Sequence, residues 1–176
     1  MRICQELGIK QLILDTFYPE EDSPVVRRQI SFLDFKSVES AIFDFCGLNK
    51  VDCVVSIQSI EHLTKNDGEL LLSNIEKWAR KLVIFETPNG FVEQGAIGRN
   101  IHQIHLSGWS IDNFKSRGYK IIGTVGLKIL KKASNKGQYK LPIRGMKLLD
   151  VILTRISFIQ YFPKASFCIF AYKVLD

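Results

Sequence analysis

Short apolar runs alternate along this chain with segments whose apolar residues recur every third or fourth position. Gln11 to Phe17 (QLILDTF) and Gln29 to Phe35 (QISFLDF) are predicted as the first two strands, each apolar and each with an Asp near its end. PEEDSP between them carries two prolines and reads as a loop. Ser37 is the expected cap of a helix whose Val38, Ala41, Ile42 and Phe45 share one face, and Gly47 is a natural stop for it. Val51 to Ile57 is a third, buried strand. Asn66 and Glu69 are placed to form a capping box, and the helix they open shows Leu71, Ile75 and Trp78 on one side. Lys81 to Glu86 (KLVIFE) is a fourth strand, ended by Thr87-Pro88-Asn89-Gly90.

A long connection, Phe91 to Gly108, follows. Ser110 is placed to cap the next helix, Trp109 to pack on Phe114 as a hydrophobic staple, and Gly118 to close that helix. Tyr119 to Leu127 and Ala165 to Val174 read as the last two strands. Between them lies an insertion, 128–164, made of a basic loop and a helix over roughly Gly145 to Phe162. That helix is apolar nearly all round, with a narrow polar stripe through Lys147, Asp150, Thr154 and Ser157, so something must cover it. Core packing, a membrane surface, a partner or a lipid-like substrate would each serve. Strands alternating with helices in this way define an α/β class with parallel β-α units.

The chain has 176 residues, 46% of them hydrophobic and 24% charged, which suits one globular domain, 1–176. The net charge of +6 is unevenly placed: Lys128, Lys131, Lys132, Lys136, Lys140, Arg144 and Lys147 have no acidic residue among them. A solvated loop explains this, as does contact with acidic lipid, nucleic acid or an anionic substrate. Only Tyr139 is interleaved with these charges, too little aromatic surface for stacking on bases, so nucleic acid is not the expected partner. Cys4, Cys46, Cys53 and Cys168 form no C-x-x-C pair, and the last three sit in apolar stretches as expected buried thiols. Met1 to Lys10 lacks a signal-peptide core and no apolar run is long enough to span a bilayer. A reducing, cytoplasmic compartment is the expectation.

Three stretches carry a resemblance: IEHL at Ile60 to Leu63, TPNG at Thr87 to Gly90, and NIHQIHLSGWSIDNFKSRGYKIIG from Asn100 to Gly123. In order and spacing they resemble the class I S-adenosylmethionine-dependent methyltransferases (type 11/12-like domains). The resemblance implies a Rossmann-like sheet, mostly parallel with an antiparallel last strand, in the order 3-2-1-4-5-7-6. It implies S-adenosylmethionine as cofactor. Asp15, ending the family's second strand, would hold the ribose hydroxyls; Asp34 and Phe35 would meet the adenine; Ser56, Ile57 and Gln58 would line the floor near the methionine part. His62 and His105 are the candidate general bases, with His102 a lesser one. Some relatives hold a divalent metal on an E-x-x-E-H motif, with a later histidine added in the RNA enzymes. Here the motif would be Gln58-Ser59-Ile60-Glu61-His62, with His105 as the later ligand, but Gln58 replaces the first glutamate and, being a neutral amide, is a poorer ligand for a hard cation, so no metal is assigned.

One piece is missing from the pattern. The glycine-rich turn of such sites precedes the ribose acid by about 20 residues, and no G-x-G-x-x-G-like stretch lies ahead of Asp15. The chain therefore reads as N-terminally truncated, without the family's central first strand, leaving two strand edges unpaired. The expected function is methyl transfer to a small or lipid-like acceptor in a full-length relative, with membrane contact through the insertion. The alternatives are a non-catalytic interaction module and an RNA 2′-O-methyltransferase-like enzyme.

Overall fold

The computed structural model describes residues 9–15, 26–97, 100–130 and 158–175. Among them are six strands: β1 (Leu12–Asp15), β2 (Val26–Gln29), β3 (Val51–Ile57), β4 (Ala79–Pro88), β5 (Lys120–Leu127) and β6 (Ser166–Val174). Three α-helices accompany them: α1 (Phe35–Cys46), α2 (Lys65–Trp78) and α3 (Ile111–Lys115). β1 pairs with β2 in a two-stranded parallel sheet. β3, β4, β6 and β5 form a second sheet in that order, with β3 parallel to β4 and β6 antiparallel to both its neighbours. This is the expected 3-2-1-4-5-7-6 order with its central member taken out. Among the described residues no strand joins β1 to β3.

The caps show why the helices begin and end where they do, and several differ from expectation. The second strand is Val26–Gln29 rather than 29–35, so Asp34 does not end a strand. It is the N-cap of α1: Oδ1 accepts from the Ser37 N–H at 3.2 Å and Oδ2 from the Ser37 hydroxyl at 2.7 Å. Phe35 becomes the first helical residue and Ser37 serves the cap instead of being it. Gly47 ends α1 with φ 69°, a left-handed conformation that costs glycine nothing. In α2 the cap is Thr64, whose hydroxyl oxygen accepts from the Asp67 N–H at 3.2 Å, not the Asn66–Glu69 pair. Ser110 does cap α3 in a full capping box with Asn113, and the Trp109 ring lies 5.9 Å from Phe114, the predicted staple.

One face of the larger sheet carries the core. Val83 and Phe85 of β4, with Ile169 and Ala171 of β6, are fully buried and pack with Leu72 and Ile75 of α2 and Phe114 of α3. Phe85, Phe114 and Tyr119 meet ring to ring at 5.6 to 6.0 Å. Lys65 closes this side: its ammonium lies 3.4 Å from the Trp109 ring centroid and donates to the Gly108 carbonyl at 3.1 Å. The alternate positions of β3 tell a different story. Val55 is 51% exposed, Ile57 54% exposed, and Cys53 is exposed as well. A doubly wound sheet covers both faces with helices, and among the described residues β3 lacks that second cover. Cys46 is also exposed, so of the three thiols expected to be buried only Cys168 is.

The expected insertion helix lies largely outside the described residues. Its described end, Phe158–Tyr161, is a 3-10 turn, followed by a second at Pro163–Ala165. No helix among the described residues is long and apolar enough to cross a membrane.

Gly68 gives a sharp test of the packing. It is buried in α2, and a Cβ built there falls inside the Trp109 indole at Cζ2. Alanine gains about 1 kcal/mol of helix propensity but forces an overpacking cost of about 1–3 kcal/mol. Gly68→Ala is therefore expected to destabilise the fold, while Gly95→Ala, with open space around it, is neutral. Urea denaturation checks both; a more stable Gly68→Ala would refute this packing of α2 on Trp109.

Candidate functional site

The site grows from the carboxyl end of β3. Ser56 is buried and Ile57 exposed. Gln58, the next residue, extends the β3–β4 ladder by one bond, its N–H donating to the Glu86 carbonyl at 2.8 Å. Its φ of 48° puts a non-glycine residue in the left-handed region, a strain that persists only where surrounding bonds enforce it. The amide Nε2 donates to Cys168 Sγ at 3.7 Å and the Ser59 hydroxyl donates to the Ile57 carbonyl at 2.9 Å. The reversed chain then forms a 3-10 turn, Ile60–His62.

That turn drives the Glu61 side chain inward, leaving it 2% exposed. Glu61 Oε2 accepts from the Thr87 hydroxyl at 3.0 Å, and its backbone carbonyl accepts from the Leu106 N–H at 2.8 Å and the Ser107 N–H at 3.1 Å. The Ser107 hydroxyl and the Trp109 indole N–H both reach the Ile60 carbonyl at 3.3 Å. These bonds tie the turn after β3 to the end of β4 and to the connection that precedes α3. Glu61 Oε1, by contrast, is buried with no hydrogen-bond partner. Burial, reinforced by the negative charge of Glu86, pushes the Glu61 carboxyl from its ordinary 4.5 up to about 7.

The connection brings His105 against His62. Their rings are 4.8 Å apart, edge to face. His62 Nδ1 lies 3.1 Å from the Ile104 carbonyl and His105 Nδ1 lies 2.6 Å from the Val92 carbonyl. A carbonyl oxygen only accepts, so both Nδ1 atoms carry a proton, and the His62 ring also faces the Gln58 and Gln103 carbonyls. Burial lowers both imidazole pKa values, more than their hydrogen bonds raise them. Both rings are therefore neutral near pH 7. Glu61, His62 and His105 each offer a ligand atom, and these atoms lie within 4.8 Å of one another. No metal was expected from the sequence because of Gln58; the set that the fold assembles does not include Gln58.

The remaining candidates scatter more widely. Asp15 ends β1, opposite Gln29 of β2 in the ladder. The Asp34 carboxylate is exposed and held below its usual range by its bonds to Ser37, and the Phe35 ring packs 5.9 Å from Trp78. Asp34 is thus engaged by α1 and Phe35 by the end of α2, and neither ends a strand. His102 is exposed in a 3-10 turn. Thr87 and Ser107 were not among the expected site residues, although Thr87 sits inside the TPNG stretch; Glu61 was expected beside His62 in the turn after the third strand, but not as a buried acid.

No protein-family model matches this chain, and no curated protein matches it. Among solved structures, it is similar to a SAM-dependent methyltransferase from Archaeoglobus fulgidus, with a TM-score of 0.55 and 16% identity over 99% of this chain and 80% of that one. At that identity the likeness carries the fold. The chain is a mixed α/β protein of Rossmann-like methyltransferase architecture, mostly parallel with one antiparallel strand.

Glu61 sets the pH response of the metal-free fold. Its proton is held more tightly folded than unfolded, so its cost to stability grows as pH rises from about 4.5 and is complete above about 7, reaching about 3 kcal/mol. The two histidines act oppositely, since their lowered folded values remove stability as pH falls below 6.5. Glu61→Gln, which keeps an acceptor for Thr87, is expected to gain on the parent as pH rises from 5 to 8 in the presence of a chelator. Thermal melts across that range decide it; a constant difference would contradict a perturbed Glu61.

Proposed function

We propose that this chain is a methyltransferase-type domain whose site lies beyond the carboxyl ends of β1 and β3, with a small or lipid-like molecule as acceptor. The observation that carries this reading is the buried acid–imidazole cluster placed directly after β3, at the edge where open α/β sheets bind ligands. The fold likeness supports it. S-adenosylmethionine supplies an already activated methyl group, so the protein must chiefly position an acceptor and exclude water. A neutral His105, its Nδ1 proton held by the Val92 carbonyl, would take an acceptor's proton on Nε2, with His62 as the second candidate base. In this reading Asp15, at the end of β1, accepts from the two ribose hydroxyls, and Ser56, Ile57 and Gln58 line the methionine part.

The residues fit the cofactor only in part. Among the described residues β1 and β3 have no strand between them, and no glycine-rich turn is in the sequence to approach the methionine end. The same observation favours a second reading, a methyltransferase-like module that binds a partner without catalysis. Under either reading the chain alone binds S-adenosylmethionine weakly or undetectably, and Asp15→Asn removes whatever binding remains. Calorimetric titration tests this: low-micromolar affinity, or weak binding indifferent to Asp15→Asn, would overturn the assignment of the cofactor to this edge.

A further inference from the structure

The charges of this chain are divided by position. Residues 113–176 hold thirteen lysines and arginines against Asp150 and Asp176, a net of +11, while residues 1–112 hold eleven against sixteen acids, a net of −5. The most basic piece, 131–157, carries seven of those cations and one acid, and the chain joins it to the described structure at Leu130 and Phe158. Both joins lie at the edge where β5 finishes and β6 begins. There the 3-10 turn Phe158–Tyr161 is anchored from within. Ile159 is 3% exposed, and its carbonyl oxygen sits so close to β5 that a Cβ at Gly123 would fall 2.3 Å from it. The next turn, Pro163–Ala165, is pinned by the Asn89 side chain, which donates to the Pro163 carbonyl at 3.0 Å and the Ser166 carbonyl at 3.1 Å. With these groups facing in, large apolar side chains face out. Tyr161 is 74% exposed, Phe162 is 50% exposed, and Ile129, at the other join, is 81% exposed.

We propose that these two turns form a rigid platform that docks on the surface of an anionic lipid bilayer. Lys115 and Lys164, both exposed, line an open apolar cavity of about 300 Å³ with Ile111, Tyr161 and Phe162, and no acidic residue lines it. Cations beside exposed aromatic tips suit a bilayer surface: the rings enter the headgroup boundary while the ammonium groups stay at the phosphates. The one-signed charge of residues 113–176 draws the same face toward anionic lipid within a Debye length. Nucleic acid is the lesser fit. Phe158 and Phe162 stack on each other, with 4.6 Å between centroids and 27° between planes, and so spend faces that bases would need. Asn89 joins the platform to the Thr87–Gly90 turn, and Thr87 in turn bonds Glu61. A lipid-like acceptor held in the bilayer is thereby presented at the edge that carries the acid–imidazole cluster. That consequence rests on the methyl-transfer reading; the docking itself does not.

Vesicle co-sedimentation of the full chain tests this, with vesicles of phosphatidylcholine alone and with about one-third phosphatidylglycerol added. Binding is expected to the anionic vesicles, to fall with added salt, and to be more than about tenfold weaker on the neutral ones. Tyr161→Ser combined with Phe162→Ser weakens it by more than about tenfold, and so does Lys115→Glu combined with Lys164→Glu. Lys50→Glu combined with Lys77→Glu makes the same change of charge at the opposite edge of the sheet, before β3 and β4, and leaves binding nearly unchanged. Unchanged circular dichroism and melting temperature show that the variants fold. Tyr161→Trp gives a second readout: its emission shifts to the blue on anionic vesicles, since Trp78 and Trp109 are buried already. Equal binding to neutral vesicles, binding that survives both platform variants, or an unshifted Tyr161→Trp emission would overturn the proposal. So would tighter binding to single-stranded RNA than to anionic vesicles, which marks a nucleic-acid surface.

Discussion

A single buried residue, Glu61, holds together the parts of this fold that face a ligand. Its backbone carbonyl receives two N–H groups from the connection before α3, and its carboxylate receives the hydroxyl that ends β4. The strained Gln58 upstream and the indole of Trp109 downstream are consequences of the same arrangement. Without the inward turn of Ile60–His62, His105 would have no reason to meet His62. The chemistry of the site thus follows from burying an acid where the local backbone leaves it one partner too few.

The second constraint is the divided sheet. β1 and β2 make a parallel pair and β3 begins a mixed four-stranded sheet, and among the described residues no strand pairs with the outer edge of β3. Exposed strand edges and apolar β3 positions such as Val55 and Ile57 are costly features for a protein to keep. They bear directly on function. The cluster built at the ends of β3 and β4 is dense and hydrogen-bonded, while β1 is a strand of four residues.

Features set by local chemistry were legible in the sequence. Gly47 and Gly118 announce helix ends, and both adopt positive φ. Ser110, Asn113, Trp109 and Phe114 form a cap and staple whose spacing needs no tertiary knowledge. The strand alternation and the antiparallel last strand followed from the pattern together with the family resemblance. Asp34 was misread because FLDF suits a strand end and a helix start equally, and only its bonds to Ser37 decide. Thr64 displaced Asn66 as cap because both are good capping residues two positions apart. The exposure of Cys46 and Cys53 depends on which layers cover them, which no local pattern records. Glu61 was legible as half of the Glu-His pair at the ligand edge, but not its burial, which is created by a connection more than forty positions downstream.

The most direct measurement is the carboxyl ¹³C shift of Glu61 followed by NMR through a pH titration of the metal-free chain. A dry carboxylate missing one partner predicts a midpoint near 7. A midpoint at the ordinary value near 4.5 would mean that Glu61 faces water, and the site built around it would not exist as described.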